Sequence, residues 1–143
     1  MSWTRRWYRA GSAWLLIAAG AQLVAHGRAY VAIDAASSPA ARAIEAMQAH
    51  VLYAPLDITL WTAFGFYSLA FGVLLAALGT THWILAREAE PRVLRRHALR
   101  NAVIGGVATA AIALWHPLPL GLAIVAGATV LFGLAAWPRA LDT

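Results

Sequence analysis

The chain alternates between long apolar stretches and shorter polar connections. The clearest apolar stretch is Ile58–Leu78, which has twenty-one residues and no charged side chain. A helix needs about 20 apolar residues to cross a hydrocarbon core roughly 30 Å thick. The stretch is therefore predicted to be a transmembrane helix, and lipid becomes the environment in which the remaining residues are interpreted.

Three further stretches extend this pattern. Ala10–Ala25 is interrupted only by Ser12 and Gln22, Ala102–Trp115 is shorter, and Leu118–Trp137 is uncharged. Tryptophans lie near the ends of these stretches, where membrane interfaces favour them. We predict one transmembrane domain over residues 1–143 with four spans, at about residues 8–27, 56–80, 96–115 and 118–137.

The arginines predict the orientation of the spans. Nine of the eleven arginines lie in the N-terminus, the second connection and the C-terminus, whereas the first connection has only Arg28 and Arg42. Basic residues accumulate on the cytoplasmic side. We therefore predict an all-α integral membrane protein, a four-transmembrane-helix bundle with N-in/C-in topology. The basic loop 81–95 is interpreted as a topology signal, with contacts to anionic lipid headgroups as the alternative.

The connections have local signals of their own. Pro91 suits a first helical position and predicts an early start for the third helix. The outer loop 28–55 contains Ser38-Pro39, which is typical of a helix start. Apolar residues then repeat at helical spacing opposite Arg42 and Glu45, namely Ile44, Met47 and Val51. This pattern predicts a short amphipathic helix in the first outer loop.

Composition supports the membrane assignment. Hydrophobic residues make up 62% and charged residues 12% of the chain, against about 25% charged in soluble domains. The net charge of +5 is assigned to the bilayer interface, so no nucleic-acid partner is expected. The absence of cysteine excludes disulfides, thiolate catalysis and cysteine-ligated metal. All eleven basic residues are arginine and none is lysine. This choice suggests a GC-rich bacterial genome, and we therefore predict the bacterial inner membrane as the location.

Small residues recur every four positions on three of the predicted helices. Such stripes let helices approach closely in lipid. They are Ser68, Gly72 and Ala76; Ala102, Gly106 and Ala110; and Gly121, Val125, Thr129 and Gly133.

Residues that could carry acid–base chemistry gather on the predicted outer side. The candidate catalytic residues are His26, Arg28, Tyr30, Glu45, His50, Asp57 and His116. If the bundle closes, His26, Asp57 and His116 lie at similar depth. Histidine titrates near neutrality and a carboxylate can orient it. His26 or Asp57 would be the acid or base, Arg28 an electrostatic stabiliser, and Tyr30 or Glu45 a supporting group.

Each candidate also has a simpler interpretation. Histidines at a membrane surface are often only interfacial polar residues, and Asp57 suits the N-cap of the second span. Three outer histidines suggest a metal, but no two of them have the spacing of a recognised motif. We predict neither a metal nor a cofactor.

The segment Trp61–Leu78, WTAFGFYSLAFGVLLAAL, follows a long outer loop and a first helix that carries Gln22 and His26. In this layout the chain resembles small four-helix bacterial inner-membrane families, the DoxX-like and anthrone-oxygenase-like proteins. The resemblance covers the first two helices. It implies action on quinones or polyketide-type aromatics, or service as an accessory oxidoreductase subunit, and it assigns no catalytic residue.

Three functions are consistent with the sequence. The first is a small membrane enzyme that acts on a lipophilic small molecule at an outer pocket between the helices. The alternative is a non-catalytic subunit or scaffold of a larger membrane complex or homo-oligomer, and the third is a small transporter. Membrane lipids and a hydrophobic small molecule are the expected partners. Proton pumping and ion conduction are disfavoured because the four apolar stretches contain no charged residue.

Overall fold

The computed structural model describes residues 2–31, 39–115 and 118–137, and about 90% of the structure is helical. Five α-helices occur in these ranges: α1 Trp3–Val31, α2 Pro39–Ala49, α3 Leu60–Glu88, α4 Pro91–Trp115 and α5 Pro119–Ala136. A short hairpin pairs strands β1 (Val51–Tyr53) and β2 (Ile58–Thr59) in antiparallel orientation. The all-α class is confirmed.

Three of the described helices, α3, α4 and α5, are long and apolar enough to cross a membrane. α1 has the same length as α3, 29 residues, but it does not meet the same criterion of length and composition. Its apolar middle is flanked by arginines at both ends and contains Gln22 and His26. The fourth span and the orientation therefore stay predictions.

Two helix boundaries differ from the expected bounds of the spans and loops. The second span was expected to begin at about residue 56, whereas α3 begins at Leu60 after the hairpin. The basic loop expected over residues 81–95 is mostly helical, because α3 continues to Glu88 and α4 begins at Pro91. The charged residues Arg87 and Glu88 belong to α3, so the helix continues past the uncharged stretch from which the span was predicted. Pro91 begins α4, as its position predicts.

The chain divides into two compact units, Met1–Ala18 with Leu75–Thr143 (unit 1) and Ala19–Leu74 (unit 2). The core of unit 1 is a stripe on α5 with helical spacing, formed by Ile124, Ala128, Phe132 and Ala135. Tyr8 from α1 and Leu94 from α4 are fully buried in the same unit. Each of these helices therefore turns one apolar face inward, as packed helices must.

Side chains cap the helix ends of unit 1. The Trp3 indole donates to the Leu134 carbonyl at 2.9 Å, and Arg95 Nε donates to the Ala136 carbonyl at 3.0 Å. Arg5 donates to the carbonyl of Ala89, just after α3, at 2.8 Å. The last carbonyls of a helix have no partner within it, and cations are favourable there. These contacts tie the C-terminal ends of α3 and α5 to neighbouring helices.

Unit 2 packs the second half of α1 on the first half of α3. Gly72 lies against Leu23, and Gly65 lies against the ring of Tyr30. Gln22 reinforces this contact by donating to the Ser68 hydroxyl at 3.0 Å. Ser68 and Gly72 thus face α1, as their stripe suggests, and Gly65 adds a position that the stripe did not include.

The loop of unit 2 between α1 and α3 contains the expected amphipathic helix, with a different end. α2 exposes Arg42 and Glu45, while Ile44 and Met47 are half-buried. Val51, expected on the apolar face of this helix, instead begins β1 and is about half exposed. β-Branched and aromatic residues favour strands, and the sequence after α2, Val51-Leu52-Tyr53, is of this kind.

Candidate functional site

A cleft of about 710 Å³ opens in unit 1 between the start of α4 and the end of α5. Three guanidinium groups and a set of apolar or small residues line it. The lining residues are Arg92, Arg95, Arg96, Leu99, Ala102, Gly133, Ala136 and Trp137. We call this site the arginine cleft.

Helical spacing explains how the sequence builds the cleft. Arg92, Arg96 and Leu99 follow one another at four and three residues, so they share one face of α4. Opposite them, Gly133 has no side chain, and a Cβ placed there would meet no atom within 4 Å. Ala102 is nearly as small. The cleft therefore forms because two small residues, Ala102 on α4 and Gly133 on α5, leave space between these helices.

The charged side chains that line the cleft are all positive. Among the described residues, those lining it include no carboxylate. Arg95 donates its Nε–H to the Ala136 carbonyl, and this hydrogen bond holds the Nε atom of its guanidinium group in place. Arg92 and Arg96 are exposed, and no ion pair joins either of them to a carboxylate within the described parts of the chain. The arrangement presents positive charge beside an apolar wall, which suits an anionic amphiphile.

Of the predicted outer residues, the structure brings His26 and Tyr30 together. They are one turn apart on α1, and their rings stack at 4.5 Å between centroids. Tyr30 also stacks on Trp61 at 4.3 Å and donates its hydroxyl hydrogen to the Trp61 carbonyl at 3.2 Å. His26 Nδ1 is enclosed, and no hydrogen-bond partner for it occurs among the described residues.

The other predicted outer residues are dispersed over different elements. Arg28 is exposed on α1, Glu45 is exposed on α2, His50 precedes β1, and Asp57 lies in the hairpin turn. Within the described residues, no side-chain hydrogen bond or ion pair joins these four groups. His116 lies outside the described residues.

Asp57 does not serve as the helix cap that was its simpler interpretation. It adopts a left-handed conformation with φ of 50°, and its backbone N–H donates to the Ala54 carbonyl at 3.1 Å. The cap of α3 is Thr59, whose hydroxyl accepts from the N–H of Thr62 at 3.2 Å. Asp57 therefore shapes the hairpin turn, a conformation that Asp tolerates better than most residues.

No cluster of three or more His, Cys, Asp or Glu residues that could hold a metal ion occurs in residues 2–31, 39–115 and 118–137. The histidines of unit 2 lie on separate elements, His26 on α1 and His50 before β1.

A partly buried polar connection in unit 1 was not predicted from the sequence. Asn101 Nδ2 donates to His82 Nε2 at 3.3 Å, and His82 Nδ1 lies 2.8 Å from the hydroxyl of Tyr8, which is fully buried. Phe132 packs against the rings of both Tyr8 and His82, at 5.2 Å in each case. These residues come from α1, α3, α4 and α5 and are far apart in the sequence. Tyr8 and Asn101 occupy both ring nitrogens of His82. We therefore interpret these three residues as an internal connection between helices.

No protein-family model matches the chain, and no significant match to a curated protein or a solved structure was found. The resemblance to DoxX-like and anthrone-oxygenase-like families stays a prediction. The fold and the cleft define a helical membrane protein with an arginine-lined cleft in unit 1.

Proposed function

We propose that this protein is a multi-pass membrane protein that binds an anionic lipid headgroup in the arginine cleft. One observation supports this most directly: a cleft of about 710 Å³ combines three guanidinium groups with apolar walls. Its volume is within the range of about 300–1,000 Å³ that is typical of small-molecule sites. Guanidinium groups bind phosphate through paired hydrogen bonds, and the apolar wall suits the start of an acyl chain.

The topology belongs to the same proposal. We propose four spans with both ends of the chain in the cytoplasm of a bacterium, with α1 as the first span. Residues 10–27 of α1 contain no Asp, Glu, Lys or Arg. In addition, eight arginines lie in the described part of unit 1 and two in unit 2, while Arg139 is outside the described residues. In this orientation the arginine cleft faces the inner leaflet, where anionic lipids are available.

The absence of cysteine makes the topology testable with single cysteines. Ser2→Cys, Gln48→Cys and Glu90→Cys variants are exposed to a membrane-impermeant maleimide in intact spheroplasts. We expect Gln48→Cys to react at once and the other two only after permeabilisation. If α1 does not cross the membrane, Ser2→Cys and Gln48→Cys lie on the same side and react together.

Lipid binding is tested with matched charge removal. The Arg92→Gln/Arg96→Gln double variant removes two cleft charges. The Arg87→Gln/Arg100→Gln control removes two exposed charges that do not line the cleft. Binding of dioleoyl-phosphatidic acid and of dioleoyl-phosphatidylglycerol is measured by native mass spectrometry in nanodiscs. We expect at least a tenfold loss of affinity for the better-bound lipid in the cleft variant and less than threefold in the control. Equal losses in both variants would refute the proposal.

A second candidate function rests on His26, whose enclosed Nδ1 has no hydrogen-bond partner within residues 2–31, 39–115 and 118–137. We propose that His26 acts as a general base on a lipophilic aromatic, with Tyr30 holding its ring by stacking. His26 would take a proton from an acidic C–H group and exchange it with solvent. Histidine is the side chain that most often serves as a general base.

The probe for this candidate is an anthrone, one of the polyketide-type aromatics that the sequence resemblance implies. Its methylene hydrogens exchange with D₂O through proton transfer alone, so no oxidant is required. We expect the protein to accelerate exchange, His26→Ala to remove the acceleration, and His50→Ala to retain it. Equal exchange in the wild type and His26→Ala would eliminate this candidate. The scaffold and transporter alternatives have no specific support in the described contacts.

A further inference from the structure

We infer that the arginine cleft selects a doubly charged headgroup, a phosphomonoester or a diphosphate, over a singly charged phosphodiester. The inference rests on the proposed function, because it specifies which anionic lipid occupies the same site. It follows from the number of charges in the cleft, from the hydrogen bonds that its arginines have left to make, and from its apolar wall.

The number of charges is the first argument. The cleft has three guanidinium groups and no carboxylate among its described lining residues. Arginine stays protonated at all physiological pH values, so the local charge is three positive units. A phosphodiester compensates one of these charges, whereas a phosphomonoester above its second pKa of about 6 compensates two. A doubly charged headgroup therefore gains more from this site than a singly charged one.

The hydrogen-bond capacity is the second argument. Arg92 and Arg96 are one turn apart on the same face of α4, and neither has an ion-pair partner among the described residues. Arg95 has used its Nε–H on the Ala136 carbonyl but keeps the N–H groups of its two terminal nitrogens. A terminal phosphate has three unsubstituted oxygens, one for each guanidinium. A phosphodiester has only two unsubstituted oxygens, because its other two oxygens are each bonded to carbon.

The apolar wall distinguishes a lipid from free phosphate. Leu99, Ala102, Gly133 and Trp137 line the same cleft as the arginines. Free phosphate would leave this surface uncovered, whereas the glycerol and the first methylene groups of a lipid would remove it from water. The inferred ligand is thus a lipid with a terminal phosphate.

The test compares two lipids and two pH values on the full-length protein. Nanodiscs of phosphatidylcholine contain either dioleoyl-phosphatidic acid or dioleoyl-phosphatidylglycerol, and binding is quantified by native mass spectrometry and by competition with a fluorescent phosphatidic acid. At pH 8 we expect phosphatidic acid to bind at least tenfold more tightly. At pH 5 its headgroup carries a single charge, and we expect the preference to fall below threefold. Arginine does not titrate in this interval, so the loss would report the headgroup charge.

The outcomes separate this inference from the proposed function. Similar affinities for the two lipids at pH 8, both reduced by Arg92→Gln/Arg96→Gln, would overturn the charge selectivity and leave lipid binding intact. If neither lipid responds to that double variant, the proposed function itself fails. Competition by inorganic phosphate at the same concentration as phosphatidic acid would overturn the assignment to a lipid.

Discussion

The contact of Gly79 with α1 in unit 1 gives a prediction that the structure allows us to quantify. A Cβ at Gly79 would lie 2.8 Å from Leu16 Cγ and 3.1 Å from the Leu16 backbone nitrogen. The side chain can rotate away, but the backbone nitrogen cannot, so Gly79→Ala forces α1 and α3 apart at this point. Inserting a methyl group into a closely packed contact costs about 1–3 kcal/mol.

Gly106 provides the matched control. It lies inside α4, and a Cβ there would meet no atom within 4 Å. Replacing glycine by alanine in the middle of a helix stabilises it by about 0.5–1 kcal/mol, and this gain applies to both positions. The difference between the two variants therefore isolates the packing cost. We expect Gly79→Ala to be less stable than Gly106→Ala by about 1–3 kcal/mol.

The measurement is reversible unfolding in mixed micelles with increasing sodium dodecyl sulfate, followed by circular dichroism at 222 nm. The high helix content of about 90% makes this signal strong. If Gly79→Ala is as stable as Gly106→Ala, the close approach of α1 and α3 at Gly79 is refuted. If Gly106→Ala is itself strongly destabilised, a partner that the described residues do not include packs on that face of α4.

Two further predictions concern unit 1. Tyr8→Phe removes the hydroxyl that lies 2.8 Å from His82 Nδ1, and we expect a loss of about 1–2 kcal/mol in unfolding free energy. The control Tyr53→Phe, at a residue that is 53% exposed, should change it by less than about 0.5 kcal/mol; equal effects would contradict the prediction. Gly133→Phe should fill the arginine cleft and lower phosphatidic acid affinity at least tenfold without loss of stability, whereas Gly106→Phe should bind normally. Unchanged binding in Gly133→Phe would exclude the cleft as the site.

The helical class followed from the sequence because long uncharged stretches dominate it. A stretch such as Ile58–Leu78 requires few assumptions, since lipid leaves the backbone little choice but a helix. The ends of the helices were harder to predict from the sequence. Predicted spans were limited by the thickness of a bilayer, but α3 continues to Glu88 and α4 begins at Pro91, because charged residues can extend a helix into water.

The hairpin shows a different difficulty. Its two strands have three and two residues, which is too short for an alternating pattern to be visible. Val51 follows Ile44 and Met47 at helical spacing, so it was assigned to the preceding helix. The turn depends on Asp57 in a left-handed conformation, and single-residue conformations of this kind leave little trace in hydrophobic periodicity.

The candidate sites illustrate why grouping residues by depth is not enough. His26, Asp57 and His116 were expected at similar depth, but in the described residues His26 contacts Tyr30, one turn away on the same helix, and no hydrogen bond or ion pair joins it to Asp57. Equal depth does not by itself bring two side chains into contact. The Tyr8–His82–Asn101 connection is closed by residues far apart in the chain. The arginine cleft had a detectable signal, since Arg92 and Arg96 are four residues apart, but the space beside them depends on Gly133 from another helix.

The arginines of unit 1 have different roles, since some contact helix ends and some line the cleft. The role of each arginine decides whether its substitution can test lipid binding. Arg5 and Arg95 donate to carbonyls at or just beyond the C-terminal ends of α3 and α5, so their substitution would disturb helix ends as well as charge. Arg92 and Arg96 have no such contact among the described residues. A loss of lipid binding in their double variant, with unfolding unchanged, would therefore report the cleft itself rather than the topology signal or the caps that the same residue type provides nearby.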